Sequence, residues 1–295
     1  MIHYLNSLSI TEKLYETLPE NDGDFRFAAI EANLAAYTEN YAAWHWHEVM
    51  ELACVVDGAV DCFTPRHRLS LKAGEGYFVN SGILHMNRIS DGSNKGTLRV
   101  IQFGAGILSG AGAIIERFIL PVEQNTAIEC LPLQSGDAIL DDLAAVFKLA
   151  AGEPHAYELD AIRLLLGIWK NLYTALEPAL QQTAPADDTA AMRMKGMLAY
   201  IHSRYDAPMT VAEIAAAVNI SEREAYRTFR DVLKTTPTLY IQQYRVNNAA
   251  RLLKETDRPI TEISLECGFS SPNYFNGVFK GLMRMSPREF RKRGK

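Results

Sequence analysis

Three histidines and a glutamate are the side chains best equipped for chemistry: His45, His47, Glu51 and, further along, His85. Neutral imidazoles and carboxylates ligate zinc, iron, nickel and manganese, so the set suits a divalent transition metal. Side chains alternate along an extended strand, which puts residues 45, 47 and 51 on one face. A straight strand would still carry Glu51 about 13 Å beyond His47 at ~3.3 Å per residue, so convergence demands a bend or bulge. The same four groups could equally be the few polar anchors of an organic effector in an apolar pocket. Metal site and effector pocket both stand at this point. Trp44 and Trp46 fall on the opposite parity and read as outer packing or interface. Cys54, Cys62, Cys130 and Cys267 are scattered without a CxxC pair, so neither a zinc knuckle nor a disulfide framework is implied, and Cys54 and Cys62 read as buried small hydrophobes rather than redox sensors.

A second set of polar residues lies near the C-terminus and occurs twice. Moving Ser221 to Pro237 on by 50 positions lays Ser221 on Ser271, Phe229 on Phe279, Arg230 on Lys280 and Pro237 on Pro287. In each copy the apolar residues follow i, i+3, i+4, i+7: Ala225, Thr228, Phe229 and Val232, then Phe275, Val278, Phe279 and Leu282. That is one core-facing side of a helix. The opposite side carries Arg223, Tyr226, Arg227 and Arg230 in the first copy, and Asn273, Asn276, Gly277 and Lys280 in the second. Arg is the usual bidentate reader of guanine and Asn of adenine, while Arg230 and Lys280, near the helix ends, suit phosphates. Ser221 with Glu224 reads as a capping box, and Ser271-Pro272 as N-cap and first helical residue.

A short helix precedes each copy. Thr210 opens one, with Glu213 completing a capping box; Pro259-Ile260 opens the other. The turns between, Asn219-Ile220 and Gly268-Phe269-Ser270, have the length that joins a helix-turn-helix. Thr236 can cap a helix that Pro237 starts and that runs to about Glu255, ~27 Å at 1.5 Å per residue. Such a helix holds the two units at a separation comparable to one DNA turn, ~34 Å.

The stretch PITEISLECGFSSPNYFNGVFKGLMRMSP, from Pro259 to Pro287, and the preceding YRVNNAARLLKETDRPI resemble the signature of the AraC/XylS family of transcription regulators. The resemblance spans roughly the last hundred residues and implies a regulator that binds double-stranded DNA. Two departures bear on base reading. Gly277 stands where the family usually has a basic residue, and Lys234 and Arg284 stand where it favours glycine after each recognition helix. In the N-terminal half, His45-x-His47 with Glu51, then Gly58, Gly74, Gly82 and His85, resemble the two motifs of the cupin fold. There HxHxxxE and a later His supply metal ligands. Asn80 replaces a common Pro and Ile89 a common Asn, so the second motif is partial.

The elements that would position these groups differ between the halves. Phe25–Ile30, Val49–Val56, Tyr77–Val79 and Leu98–Phe103 are short apolar runs broken at Asp57-Gly58, Lys72-Ala-Gly74 and Asp91-Gly92, as in an antiparallel sandwich or barrel. Two amphipathic helices follow, Asp137–Ala150 and Ala156–Leu176. The second has an apolar stripe wide enough to suggest a homodimer contact as readily as intramolecular packing. Residues 181–191 have linker composition. From Met192 onward there are 18 Lys and Arg against 10 Asp and Glu, although the whole chain carries −5. That split fits a nucleic-acid-binding end. No apolar run is long enough for a membrane span, and the polar first 20 residues lack the pattern of a signal peptide.

The expected architecture is therefore α+β and multidomain. A cupin-like sensor and dimerisation domain over 1–180 forms a β-barrel with flanking helices; a linker covers 181–191; an all-α domain of two helix-turn-helix units covers 192–295. The expected protein is a cytoplasmic, non-enzymatic transcription regulator whose DNA binding responds to a small-molecule effector or a metal in the barrel. The alternative is a cupin metalloenzyme, of dioxygenase or isomerase type, with an accessory DNA-binding domain.

Overall fold

The computed structural model describes residues 2–5, 14–16, 27–37, 40–108, 112–181, 189–233 and 235–293. Most of the stretch read as a linker, part of the Phe25 run and Lys234 lie outside the described residues. The chain divides into two units, Met1–Thr11 with Tyr15–Asp188, and Glu12–Leu14 with Thr189–Lys295.

Among its described residues the first unit holds nine strands: β1 Ile2–Leu5, β2 Phe27–Asn33, β3 Tyr41–His45, β4 Met50–Phe63, β5 Arg68–Lys72, β6 Gly76–Val79, β7 His85–Ile89, β8 Gly96–Phe103 and β9 Cys130–Leu133. One path runs β1-β2-β8-β4-β6-β9, while β3, β7 and β5 join through the far half of β4. β4 therefore belongs to both sheets, the joint of a barrel. Asp57-Gly58, expected as a break, is instead a bulge inside β4, where the register against β8 shifts between Val55 and Asp57. Gly58 takes φ +79°, and a Cβ there would lie 2.1 Å from the Lys95 carbonyl oxygen. Only glycine fits.

Alternation assigns the two faces of the sheet. Ile30, Ala53, Val55, Tyr77, Val79, Leu98 and Val100 pack inside the barrel. Their neighbours of opposite parity, Met50, Leu52, Phe78, Ile101 and Phe103, pack outside against helices. After a short α1 (Gly112–Ile114), a π-helical turn (Ile115–Ile119) and α2 (Leu120–Glu123), the long helices α3 (Ala138–Gly152) and α4 (Tyr157–Leu180) cover that outer face. Asp137 caps α3 by accepting from the Ile139 N–H. On α4, Leu165, Ile168, Trp169 and Leu172 are buried, and the Trp169 ring meets Phe78 and Phe103 edge-on at 6.4 and 6.5 Å. Each such side chain contributes about 1.5–3 kcal/mol by leaving water. The greater part of the α4 stripe thus packs within the domain, leaving Leu159 and Leu166 exposed.

The second unit is helical: α5 Thr189–Arg204, α6 Val211–Ala216, α7 Glu222–Leu233, α8 Pro237–Glu255, α9 Ile260–Glu266, α10 Pro272–Met283 and α11 Pro287–Arg293. The two short helices end alike. Asn219 and Gly268 take positive φ, and the next N–H reaches back, Ile220 to the Ala215 carbonyl and Phe269 to that of Ser264. These are Schellman closures. They are spaced 49 residues apart, whereas the recognition helices repeat at 50, so the second turn holds one extra residue. Phe275 and Phe279 of α10 pack with Val246, Ala250 and Leu253 of α8 and Ile263 of α9 in one core.

Candidate functional site

The four barrel residues read as ligands do converge. His45 ends β3, His47 lies in the link that follows, Glu51 is the second residue of β4, and His85 opens β7. The expectation of one strand face was wrong: the chain leaves β3 at Trp46 and enters β4 at Met50, which removes the 13 Å gap. His45 pairs with His85 across β3 and β7, while Glu51 stands opposite Val79 and Gln102. All four residues are buried, and one ligand atom from each lies within 4.8 Å of every other. His47 Nε2 is 3.2 Å from Glu51 Oε2, and His85 Nε2 is 3.7 Å from Glu51 Oε1.

The orientation of the rings is specific. Each Nδ1 meets a main-chain oxygen two residues away in sequence: His45 that of Ala43 at 2.7 Å, His47 that of Val49 at 2.8 Å and His85 that of Ile83 at 2.9 Å. A carbonyl only accepts, so every Nδ1 carries the proton and every Nε2 of a neutral ring turns a lone pair inward. The buried His85 Nε2 has no hydrogen-bond partner. Three lone pairs and a carboxylate facing one another require a cation or added protons between them. This donor set fits a divalent transition metal, with the Nδ1 bonds as the outer contacts that orient metal-binding imidazoles.

Without an ion the four groups divide the charge unevenly. Burial works to raise the Glu51 carboxyl, but His85 and His47 outweigh it and hold the group well below the ordinary range. Burial, reinforced by His85 and His47, pushes His45 far down. His47 goes up, because the hydrogen bond and charge of Glu51, aided by Glu16, overcome its burial.

Sequence reasoning missed three members of this site. Gln102 Nε2 donates to Glu51 Oε2 at 3.0 Å and to Glu16 Oε2 at 3.1 Å, and the Tyr77 hydroxyl donates to Glu51 Oε1 at 3.0 Å. Gln102 was within reach, since it shares the inward parity of Leu98 and Val100. Glu16 lies in a polar stretch without periodicity and gave no signal. The cavity beside the cluster measures about 30 Å³, walled by Ile30, Ala32, Leu34, Leu98 and Val100. That is room for about two waters at roughly 10–15 Å³ each. Organic-ligand pockets occupy about 300–1,000 Å³. Trp44 is buried, and Trp46 meets Tyr15 edge-on at 5.1 Å. Burial raises the Cys62 thiol far above its usual value, Cys130 to about 11 and Cys267 to about 12, so none is poised as a thiolate.

The residues read as DNA contacts all lie on the outside of the second unit. Arg223, Tyr226, Arg227 and Arg230 on α7, and Asn273, Asn276 and Lys280 on α10, are exposed, while Phe229 and Phe279 on the reverse faces are buried. The first face has a feature not foreseen. Glu224 accepts from Arg227 Nη2 at 2.5 Å and from Arg193 Nη1 at 3.5 Å. The Ser221 hydroxyl still caps the Glu224 N–H, but the Glu224 carboxylate orients Arg227. Arg284 adopts the left-handed conformation after α10 without glycine.

Residues 27–167 match the family described as AraC-like ligand binding domain, and residues 214–293 match a helix-turn-helix domain, together about three-quarters of the chain. The chain belongs to the AraC family. Along 292 residues it is 26% identical to the uncharacterized HTH-type transcriptional regulator YdeC of Bacillus subtilis, covering 98% of this chain and 99% of that one. To the melibiose operon regulatory protein of Escherichia coli it is 34% identical over 96 residues, 32% of either chain. Among solved structures, an AraC-type regulator from Chromobacterium violaceum is 29% identical, covering 37% of this chain and 96% of that one, with TM-score 0.35. Unsaturated fatty acid bound ToxT from Vibrio cholerae is 16% identical, covering 93% and 97%, with TM-score 0.44. As an AraC-family regulator the protein binds DNA through its helix-turn-helix domain and carries its ligand-binding domain at the N-terminal end. No helix among the described residues is long and apolar enough to cross a membrane.

Proposed function

We propose that the ligand of this AraC-family regulator is a divalent transition metal held by His45, His47, Glu51 and His85, and that its occupancy sets DNA binding. The observation that carries this reading is the inward aim of three Nε2 atoms, each ring fixed through its Nδ1 to the main chain. The metal would supply the positive charge that three lone pairs and a carboxylate lack. A cavity of about 30 Å³ favours an ion with a water over an organic effector, and gives a substrate no room. On this reading the protein acts in the cytoplasm as a sensor and not as an enzyme, as its resemblance to transcriptional regulators supports. Leu159 and Leu166, exposed on α4 beside the partly buried Ile162 and Tyr173, supply an apolar ridge for a homodimer.

Elemental analysis of protein purified without added chelator tests the metal assignment, alongside a turnover screen on small acids and sugars. One equivalent of transition metal without turnover is expected. Absence of metal after incubation with each candidate ion contradicts the metal assignment, and efficient turnover contradicts the sensing role.

A further inference from the structure

Glu16 reaches the barrel cluster from a segment outside the strands that carry the other ligands. Its N–H donates to the Trp46 carbonyl at 2.9 Å, and Tyr15 bridges to Trp46 alongside. This lays the segment against the residue between His45 and His47, and its carboxylate enters the site there. Glu16 Oε2 stands 3.7 Å from His45 Nε2 and 4.0 Å from His47 Nε2, with its side chain 4% exposed. Two donors bound to one ion at ~2.0–2.2 Å cannot be more than about 4.4 Å apart, and these two separations satisfy that limit. Glu16 stands outside the four-residue set whose ligand atoms all lie within 4.8 Å, so its carboxylate must close on the remaining ligands as the ion binds. A carboxylate buried this far needs more than the single amide donor it shares with Glu51, the Gln102 side chain.

We infer that Glu16 is a fifth protein ligand, making the site a three-imidazole, two-carboxylate centre. This rests on the metal reading above. Five donors of this kind exceed the tetrahedral set typical of structural zinc, and suit manganese, iron, cobalt or nickel in five- or six-fold coordination. It also makes Glu16, beside Tyr15 and its bridge to Trp46, part of the site.

Cobalt(II) is the probe, because its visible absorption is weak in six-fold coordination and strong in four-fold. Metal-free full-length protein and its Glu16→Gln variant are titrated with cobalt, and circular dichroism verifies the fold. Gln keeps the size and the bond to Gln102 but removes the anionic ligand. The wild type is expected to bind one equivalent with weak absorption. The variant is expected to bind about tenfold more weakly or worse, with absorption rising toward the four-coordinate form. Should the Gln variant not fold, Glu16→Ala carries the same comparison. A folded variant with wild-type affinity and spectrum overturns the fifth ligand and leaves the four-residue site intact. Wild-type protein that takes up no cobalt overturns the metal reading and this inference with it.

Discussion

The two domains put their polar chemistry on opposite sides of their cores. In the barrel, His45, His47, Glu51 and His85 are almost free of solvent and face one another. In the helical domain, Arg223, Arg227, Asn273 and Asn276 face outward into solvent, with Arg227 held by Glu224. Exposure costs nothing, so a recognition face needs only the helical repeat to position it. Burial is expensive, so an inward polar group must find partners, and which partners it finds tells a site from a core. His202 makes the distinction within the helical domain. It is as buried as the barrel histidines, yet its neighbours are the Tyr244 ring, stacked at 3.8 Å, and the Tyr240 hydroxyl at 2.9 Å. With no carboxylate beside it among the described residues, burial lowers its pKa to about 3. It is a neutral packing residue.

That contrast sets the largest expected effect. The unfolded chain protonates a histidine near pH 6.5 and the folded domain protonates His202 only near 3, so its stability is whole above about pH 6.5. It is lost as the pH falls from there toward 3, by on the order of 5 kcal/mol at 1.36 kcal/mol per pH unit. Hydrogen exchange at the α5 and α8 amides should follow this loss, and His202→Phe should flatten it; an unchanged slope removes the contrast. In the barrel, His85→Ala should weaken metal binding on the order of a hundredfold or more, read by competition with a chromophoric chelator. Retained affinity there would make His85 another packing histidine.

The outer face gives smaller effects. Arg227→Ala should lose about 1–3 kcal/mol on the preferred DNA sequence and flatten the preference at one base pair. Lys280→Ala should weaken all sequences alike and lower the salt slope by about one. Anisotropy titrations on selected and scrambled duplexes separate the two outcomes, and an unchanged sequence ratio in Arg227→Ala contradicts base reading. Gly277 gives the smallest change. Nothing lies within 4 Å of a Cβ built there, so Gly277→Ala should stabilise α10 by up to about 1 kcal/mol in thermal unfolding. A loss of stability would mean that the fold, and not the DNA face, requires glycine.

Local signals were legible in the sequence and long-range ones were not. Thr236 and Pro237 start α8 and Glu255 ends it as read, because caps and breakers act within a turn. Thr210 and Glu213 form their capping box. The runs that became β4 and β8 were visible as well, since burial on both faces leaves nearly continuous apolar stretches. β1, β3, β5 and β7 are short and carry polar residues such as His3, Asn87 and Arg88, and β9 is only four residues long with Pro132 inside it, so no period marked them. The ligand residues were legible by type and interval, but their meeting depends on the turn after Trp46 and on the pairing of β3 with β7. Glu16 depends on a bridge to Trp46 that no local rule anticipates.

The central claim is that metal occupancy of the barrel sets DNA affinity. The direct measurement is the dissociation constant of full-length protein for a duplex selected from a random pool, with the site loaded and with the metal removed by chelator. Coupling energies between sites are typically 1–3 kcal/mol, so the two constants should differ by roughly 5- to 150-fold. In His85→Ala the same chelation should leave the constant unchanged. Equal DNA affinity for loaded and metal-free wild type, at verified full and zero occupancy, contradicts the account.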